Sequence, residues 1–206
     1  MSLTLVIIAV TALISWQALE NRDMFFKLLH SPYQEVHRKE WYRILTSTFV
    51  HVDYMHLIIN MFVLWQFGTQ VEDYFVQIFG EVFGRVNYLL LYLLSAAFGD
   101  VSSLVKHKDN HLYSAVGASG GVSGIMLAFV IFNPWSILLL FFIIPMPAFV
   151  AAILYLVYSS WASKKGHDLI GHDAHFYGAV FGFLFTLALK PGLFSFFVER
   201  LTTLPF

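Results

Sequence analysis

Four polar side chains stand at the heads of three apolar runs: His56 and Asn60 begin residues 55–71, Ser119 begins residues 117–133, and His175 begins residues 174–189. Polar groups in hydrocarbon are costly, so they are functional candidates wherever they occur. The alternating runs 3–18, 86–105 and 146–163 read as lacking any comparable polar group. In a serpentine chain the starts of even-numbered spans lie on one side of the membrane, so these four residues can share one depth and one cavity.

Ser119 lies in Gly117-Ala118-Ser119-Gly120-Gly121-Val122-Ser123-Gly124, four glycines in eight residues at the beginning of an apolar run. Glycines allow close backbone approach, and the first amides of a helix have no intrahelical partner. A serine placed there sits beside ready donors for a developing oxyanion. The same small residues would also serve simply to let two helices pack closely. His175 is followed by Gly178 and Gly182, a GxxxG face that includes the imidazole, so the side able to approach another helix also presents a base. Neutral imidazole beside a serine can act first as general base and then as general acid. A histidine capping its helix is the alternative.

His56 and Asn60 are four apart and point into one space, offering N–H donors, although an ordinary interhelical hydrogen bond would use them equally well. His51, Asp53, His56, His172, Asp173 and His175 could form a metal site, yet no HExxH pattern is present and the spacing fits no common zinc arrangement. Arg43 and Glu72 flank the second span and suit anchoring of a loop and a helix end. No carboxylate joins the candidate set, which leaves a Ser-His dyad rather than a triad.

The elements that must hold these residues follow from composition. The chain is 58% hydrophobic and only 12% charged, against about 25% charged in soluble domains, and its mean hydropathy is +0.70. A net charge of -1 leaves no basic face for nucleic acid. The absence of cysteine removes disulfides, thiolate nucleophiles and Cys-ligated metal. A span needs about 20 apolar residues, so the chain accommodates six, at 3–18, 55–71, 86–105, 117–133, 146–163 and 174–189, and is expected to form one integral membrane domain over residues 1–206. The first run lacks a basic lead and a small-residue cleavage site, so it is expected to be retained. Residues 19–50 mix charges with aromatic rings and read as a long interfacial loop. Residues 137–144, cut off by Pro145 and Pro147, are expected to pack at the membrane rim. With backbone groups satisfied internally, the architecture expected is an all-α six-helix bundle.

Taken in order, Trp41-Tyr42-Arg43 with Leu45-Thr46, Phe49-Val50-His51, His56-Leu57-Ile58-Ile59-Asn60, Gly68 with Val71-Glu72, Gly117-Ala118-Ser119-Gly120, and Ala174-His175 with Gly178 and Gly182 resemble the rhomboid intramembrane serine proteases. The resemblance implies a six-transmembrane-helix rhomboid-like bundle, Ser119 as nucleophile, His175 as base, and His56 and Asn60 as contributors to the oxyanion hole. It also implies cleavage of peptide bonds in or beside a substrate's transmembrane helix, without metal, ATP or other cofactor, so the partners are transmembrane-helix proteins and the lipid bilayer. Two departures are visible. Tyr42 separates a tryptophan and an arginine that are often adjacent in the family, and Ser123 stands where many members carry an aromatic ring beneath the histidine.

Rival readings are a rhomboid-like pseudoprotease, which would be expected to lack the serine or the histidine, and a metal-binding or transport protein using the histidines. Orientation is contested by charge. Nine cations follow odd-numbered spans and three follow even-numbered ones, which favours a cytoplasmic site, but five of the nine lie in the first loop and the rest divide four against three. The family implies the opposite: an extracytoplasmic active site, with both termini inside, in a bacterial cytoplasmic (inner) membrane.

Overall fold

The computed structural model describes residues 2–140, 143–163 and 171–203. Its helices are α1 (Leu3–Glu20), α2 (Arg22–Leu28), α3 (Pro32–Arg38), α4 (Arg43–Thr46), α5 (Tyr54–Phe79), α6 (Glu81–His107), α7 (Ser119–Phe132), α8 (Ala148–Ala162), α9 (His172–Leu189) and α10 (Gly192–Thr202), with a 3-10 turn at Ser47–Phe49. The protein is mostly helical. By length and composition α1 and α6 can each cross a membrane, and up to four spans result if the bent pairs Arg43–Phe49 with Tyr54–Phe79 and Asp173–Leu189 with Gly192–Thr202 each count as one. Helices α7 and α8 are shorter apolar segments.

Helix α7 is the axis of the fold. It is apolar on every side, and such a helix must be enclosed; nearly all of its residues from Gly120 to Phe132 are buried. Leu57, Leu64 and Phe75 of α5, Tyr88, Leu91 and Tyr92 of α6, and Ile125, Ala128 and Phe129 of α7 form the main core. Large apolar side chains such as Trp16, Trp65, Phe83 and Val105 face outward, as expected of a surface solvated by lipid tails. Helix α7 ends at the Asn133 C-cap, immediately before Pro134, which lacks the amide needed to extend it.

The structure revises three expectations. Residues 137–147 are not a simple packed run: β1 (Ile137–Leu140) pairs antiparallel with β2 (Ile144–Pro147), Ile137 opposite Pro147 and Leu139 opposite Pro145. A two-stranded ribbon has free edges on both sides, where prolines are tolerated. Residues 19–50 are not merely interfacial, because they form α2, α3 and α4 and bury Phe25, Leu29, His30, Glu35 and Arg43. Finally, the third span does carry a strongly polar group, since Asp100 is buried within α6. A further helix, α10, turns back by 114° from α9, and the Trp135 indole donates to its terminal carbonyls at Arg200 (3.1 Å) and Leu201 (3.2 Å).

Candidate active site

Ser119 is the first residue of α7, half-buried, and Ala118 before it supplies no side-chain cap. The first bond returning to this turn runs from the Val122 amide to the Ala118 carbonyl (2.9 Å). The amides of Ser119, Gly120 and Gly121 precede it and have no intrahelical acceptor.

Three fastenings hold the segment leading into this turn. His30 and Ala115 exchange backbone bonds at 3.0 and 3.1 Å, the Gly117 amide donates to Ser47 O (3.0 Å), and the Ala118 amide donates to Nε2 of His51 (3.2 Å). Two of the partners, His30 and Ser47, come from residues 19–50, read as a loop, and His51 follows that segment directly. Gly117 has φ +125°, a conformation that L side chains rarely adopt. A Cβ there would lie 2.7 Å from His56 Cε1, 3.0 Å from His56 Nε2 and 3.7 Å from Ser119 Oγ. The His56 ring and the Ser119 hydroxyl therefore border the same small space.

Helix α9 seats against α7 through glycines. A Cβ on Gly178 would strike the Gly120 carbonyl, and one on Gly182 would strike the Gly124 backbone. Since Gly120 follows Ser119 and Gly178 is one turn beyond His175, this contact sets the head of α9 beside the head of α7. His175 is half-buried, with its ring stacked on Tyr155 of α8 at 6.1 Å and 20°.

Asn60 is buried, and its side-chain amide donates to the His56 carbonyl (2.9 Å). One of its two N–H groups is thus engaged. Arg43 donates to Glu40 (2.7 Å) and to the carbonyls of Phe26 (2.8 Å) and Leu29 (3.0 Å), tying α2 to α4. Glu72 accepts from Ser2 Oγ, the Leu3 amide, the Thr4 amide and Thr4 Oγ1 at 2.7–2.9 Å. The two amides are orphan donors of the first turn of α1.

Gly121-Val122-Ser123-Gly124 repeats the Gly-x-Ser-Gly pattern of Gly117-Ala118-Ser119-Gly120, but its serine is placed differently. Ser123 is 2% exposed, and its hydroxyl donates to the Ser119 carbonyl (2.6 Å). Its single proton is committed, unlike that of a serine at the head of the helix.

The two carboxylates among the metal candidates have other partners. Asp53 caps α5 by accepting the His56 amide (2.7 Å), and Asp173 pairs with Lys106 (2.7 Å). Among the described residues no three His, Cys, Asp or Glu side chains converge as a metal set.

His51 is fully buried between Ser15 Oγ (2.7 Å from Nδ1) and the Ala118 amide. Because that amide donates, Nε2 must be unprotonated, and Nδ1–H then donates to Ser15, whose own proton goes to the Phe49 carbonyl (3.1 Å). Burial, helped by neighbouring His56, lowers its pKa to about 3. The folded pKa lies below the unfolded one, so between pH 6.5 and about 3 the unfolded chain binds a proton that the native chain refuses. Stability is accordingly expected to fall on acidification, by up to about 1.4 kcal/mol per pH unit from this group. Unfolding followed in detergent from pH 7 to 4 should show a shallower slope for His51→Gln, which keeps an acceptor but cannot titrate. An unchanged slope would remove His51 from the effect.

A second buried cluster lies behind the serine. His30 contacts Glu35 through Nδ1 (2.7 Å) and Ser103 through Nε2 (2.7 Å), while Ser103 donates to the Asp100 carbonyl (2.8 Å). With the Ser103 proton so used, Nε2 of His30 must donate, and Nδ1 faces a carboxylate, so the ring is an imidazolium. Burial alone would lower its pKa, but the charges of Asp100 and Glu35 outweigh burial and raise it. Asp100 also accepts from Ser47 Oγ (3.0 Å). Asp100 and Ser47 line, with Gly117, Ser119, Gly120 and Ala174, a cavity with room for roughly one water molecule. The signal available beforehand was a lone aspartate within an apolar run.

A model of the Rhomboid domain matches residues 38–192. The chain is 30% identical over 168 residues to RHOMBOID-like protein 12, mitochondrial, of Arabidopsis thaliana, covering 74% of this chain and 48% of that protein. It is 30% identical over 146 residues to Rhomboid protein 1, mitochondrial, of Saccharomyces cerevisiae, covering 69% and 40%. With Rhomboid protease GluP of Bacillus subtilis it shares 34% identity over 85 residues, 41% of this chain and 14% of that one. The chain thus spans less than half the length of each of these relatives.

Proposed function

The chain belongs to the rhomboid family, and from that premise we propose that it is an intramembrane serine endopeptidase working through a Ser119–His175 dyad. The observation that carries this reading is the glycine contact of Gly120 and Gly124 with Gly178 and Gly182, which brings the heads of α7 and α9 together. His175 removes the Ser119 proton as Oγ attacks the scissile carbonyl, forming a tetrahedral oxyanion. The first-turn amides of α7, the second N–H of Asn60 and the His56 ring stabilise that charge. His175 then protonates the departing amine, and a water activated by the same ring releases the acyl group.

In this reading α1, α5, α6, α7, α8 and α9 are the six crossings of one domain covering residues 1–206. Helix α7 has 14 residues and so rises only about 21 Å, against about 30 Å of hydrocarbon. Its head, carrying Ser119, is recessed below the membrane surface, as cleavage of a transmembrane helix requires. The substrates are transmembrane-helix proteins, and no metal or nucleotide enters the reaction. The presence of both serine and histidine favours this over a pseudoprotease.

We place the site on the extracytoplasmic face of a bacterial cytoplasmic membrane, with both termini inside; the relatives' names include mitochondrial proteins as well as a bacterial protease. A C-terminal reporter should be active in the cytoplasm, and activity only outside would contradict this topology. For the chemistry, purified protein in detergent should cleave a generic transmembrane peptide, and a serine-reactive phosphonate should stop it. Cleavage blocked by a chelator and indifferent to the phosphonate would contradict the reading.

A further inference from the structure

Tyr155 projects from α8, the helix between the two that carry Ser119 and His175. Its ring is nearly parallel to the His175 imidazole, at 6.1 Å between centroids and 20° between planes, an offset-stacked arrangement. Its hydroxyl lies 2.5 Å from Ser123 Oγ. Ser123 has one proton, and it is donated to the Ser119 carbonyl at 2.6 Å. Tyr155 must therefore be the donor to Ser123. A continuous set of contacts runs from the Ser119 backbone through two hydroxyls and a phenol ring to the face of His175.

We propose that Tyr155 is a positioning residue for His175, with Ser123 as the tether that ties its ring to the first turn of α7. This inference rests on the dyad reading above. An imidazole at the first turn of a helix has two free torsions, and stacking against a ring restricts both. The tether makes the restriction specific, because it fixes the phenol relative to the residue bearing the nucleophile rather than to α8 alone. It also gives Ser123 a role that needs no chemistry of its own. A misplacement of about 1 Å can cost roughly 100-fold in rate, so the contact acts on turnover and leaves substrate affinity largely unaltered.

The test compares Tyr155→Ala, Tyr155→Phe, Ser123→Ala and the double Ser123→Ala, Tyr155→Phe, using transmembrane-peptide cleavage and fluorophosphonate labelling of Ser119. Tyr155→Ala is expected to lower kcat by about 10- to 100-fold with KM unchanged, and to slow labelling by the same factor. Tyr155→Phe keeps the ring and should recover all but a few-fold of the loss. Ser123→Ala and Tyr155→Phe cut the same link, so the double variant should lose no more than either single one. Wild-type kcat in Tyr155→Ala, a Phe variant as impaired as the Ala variant, or additive losses in the double variant would each overturn the proposal. If Tyr155→Ala fails to fold, the cycle between Ser123→Ala and Tyr155→Phe decides alone. Absence of labelling at Ser119 in the wild-type protein would overturn the dyad reading and this inference with it, whereas normal labelling in both wild type and Tyr155→Ala would overturn only the inference.

Discussion

Ser119→Ala and His175→Ala are each expected to abolish cleavage of a transmembrane peptide while leaving a folded membrane protein. The two losses should not add, because a nucleophile and its base act as one unit. Folding should survive for a structural reason: Ser119 is half-buried at a helix head, and the packing of α7 on α9 is made by the glycines one residue and one turn away. Ser123→Ala provides the contrast. It removes a buried hydroxyl that already donates to the Ser119 carbonyl, so substantial activity should remain, with some loss from looser packing around His175. Full activity in Ser119→Ala would reject the assignment outright.

Asn60→Ala should lower turnover by about 100-fold or more, with a much smaller effect on substrate binding. The reason is differential: an uncharged carbonyl gains little from the donor, whereas the tetrahedral oxyanion gains a great deal. Part of the loss could be masked if His56 supplies a parallel donor, since its ring borders the same space as the Ser119 hydroxyl. The double variant His56→Ala, Asn60→Ala removes that compensation and should be slower than either single variant. Turnover unchanged in the double variant would take the pair out of the mechanism.

What could be read from the sequence was what is local. The run beginning at Ser119 ends at Asn133-Pro134 in the structure as in the sequence, because the stop is set by the chemistry of one residue. Gly178 and Gly182 disclosed a close-packing face because the helical period is short. What escaped was non-local. The role of Asp100 was not legible in the run 86–105, read as having no comparable polar group, because its partners Ser47 and His30 lie far away in the chain. The fastening of Gly117 and Ala118 by Ser47 and His51 escaped for the same reason, since Ala118 and His51 are 67 positions apart. Tyr155 was indistinguishable from any other aromatic residue of a lipid-facing helix until α8 was packed against α7 and α9. The ribbon of Ile137–Leu140 with Ile144–Pro147 escaped for another reason, since a four-residue apolar run has no period that separates strand from helix.

The central claim is that Ser119 is a nucleophile activated by His175, and covalent labelling by a fluorophosphonate tests it most directly because it needs no substrate. Digestion and mass mapping of the labelled protein should place the adduct on Ser119 in the wild type and in Ser123→Ala, and should find none in His175→Ala. An adduct on Ser123, or undiminished labelling of Ser119 without His175, would contradict the account.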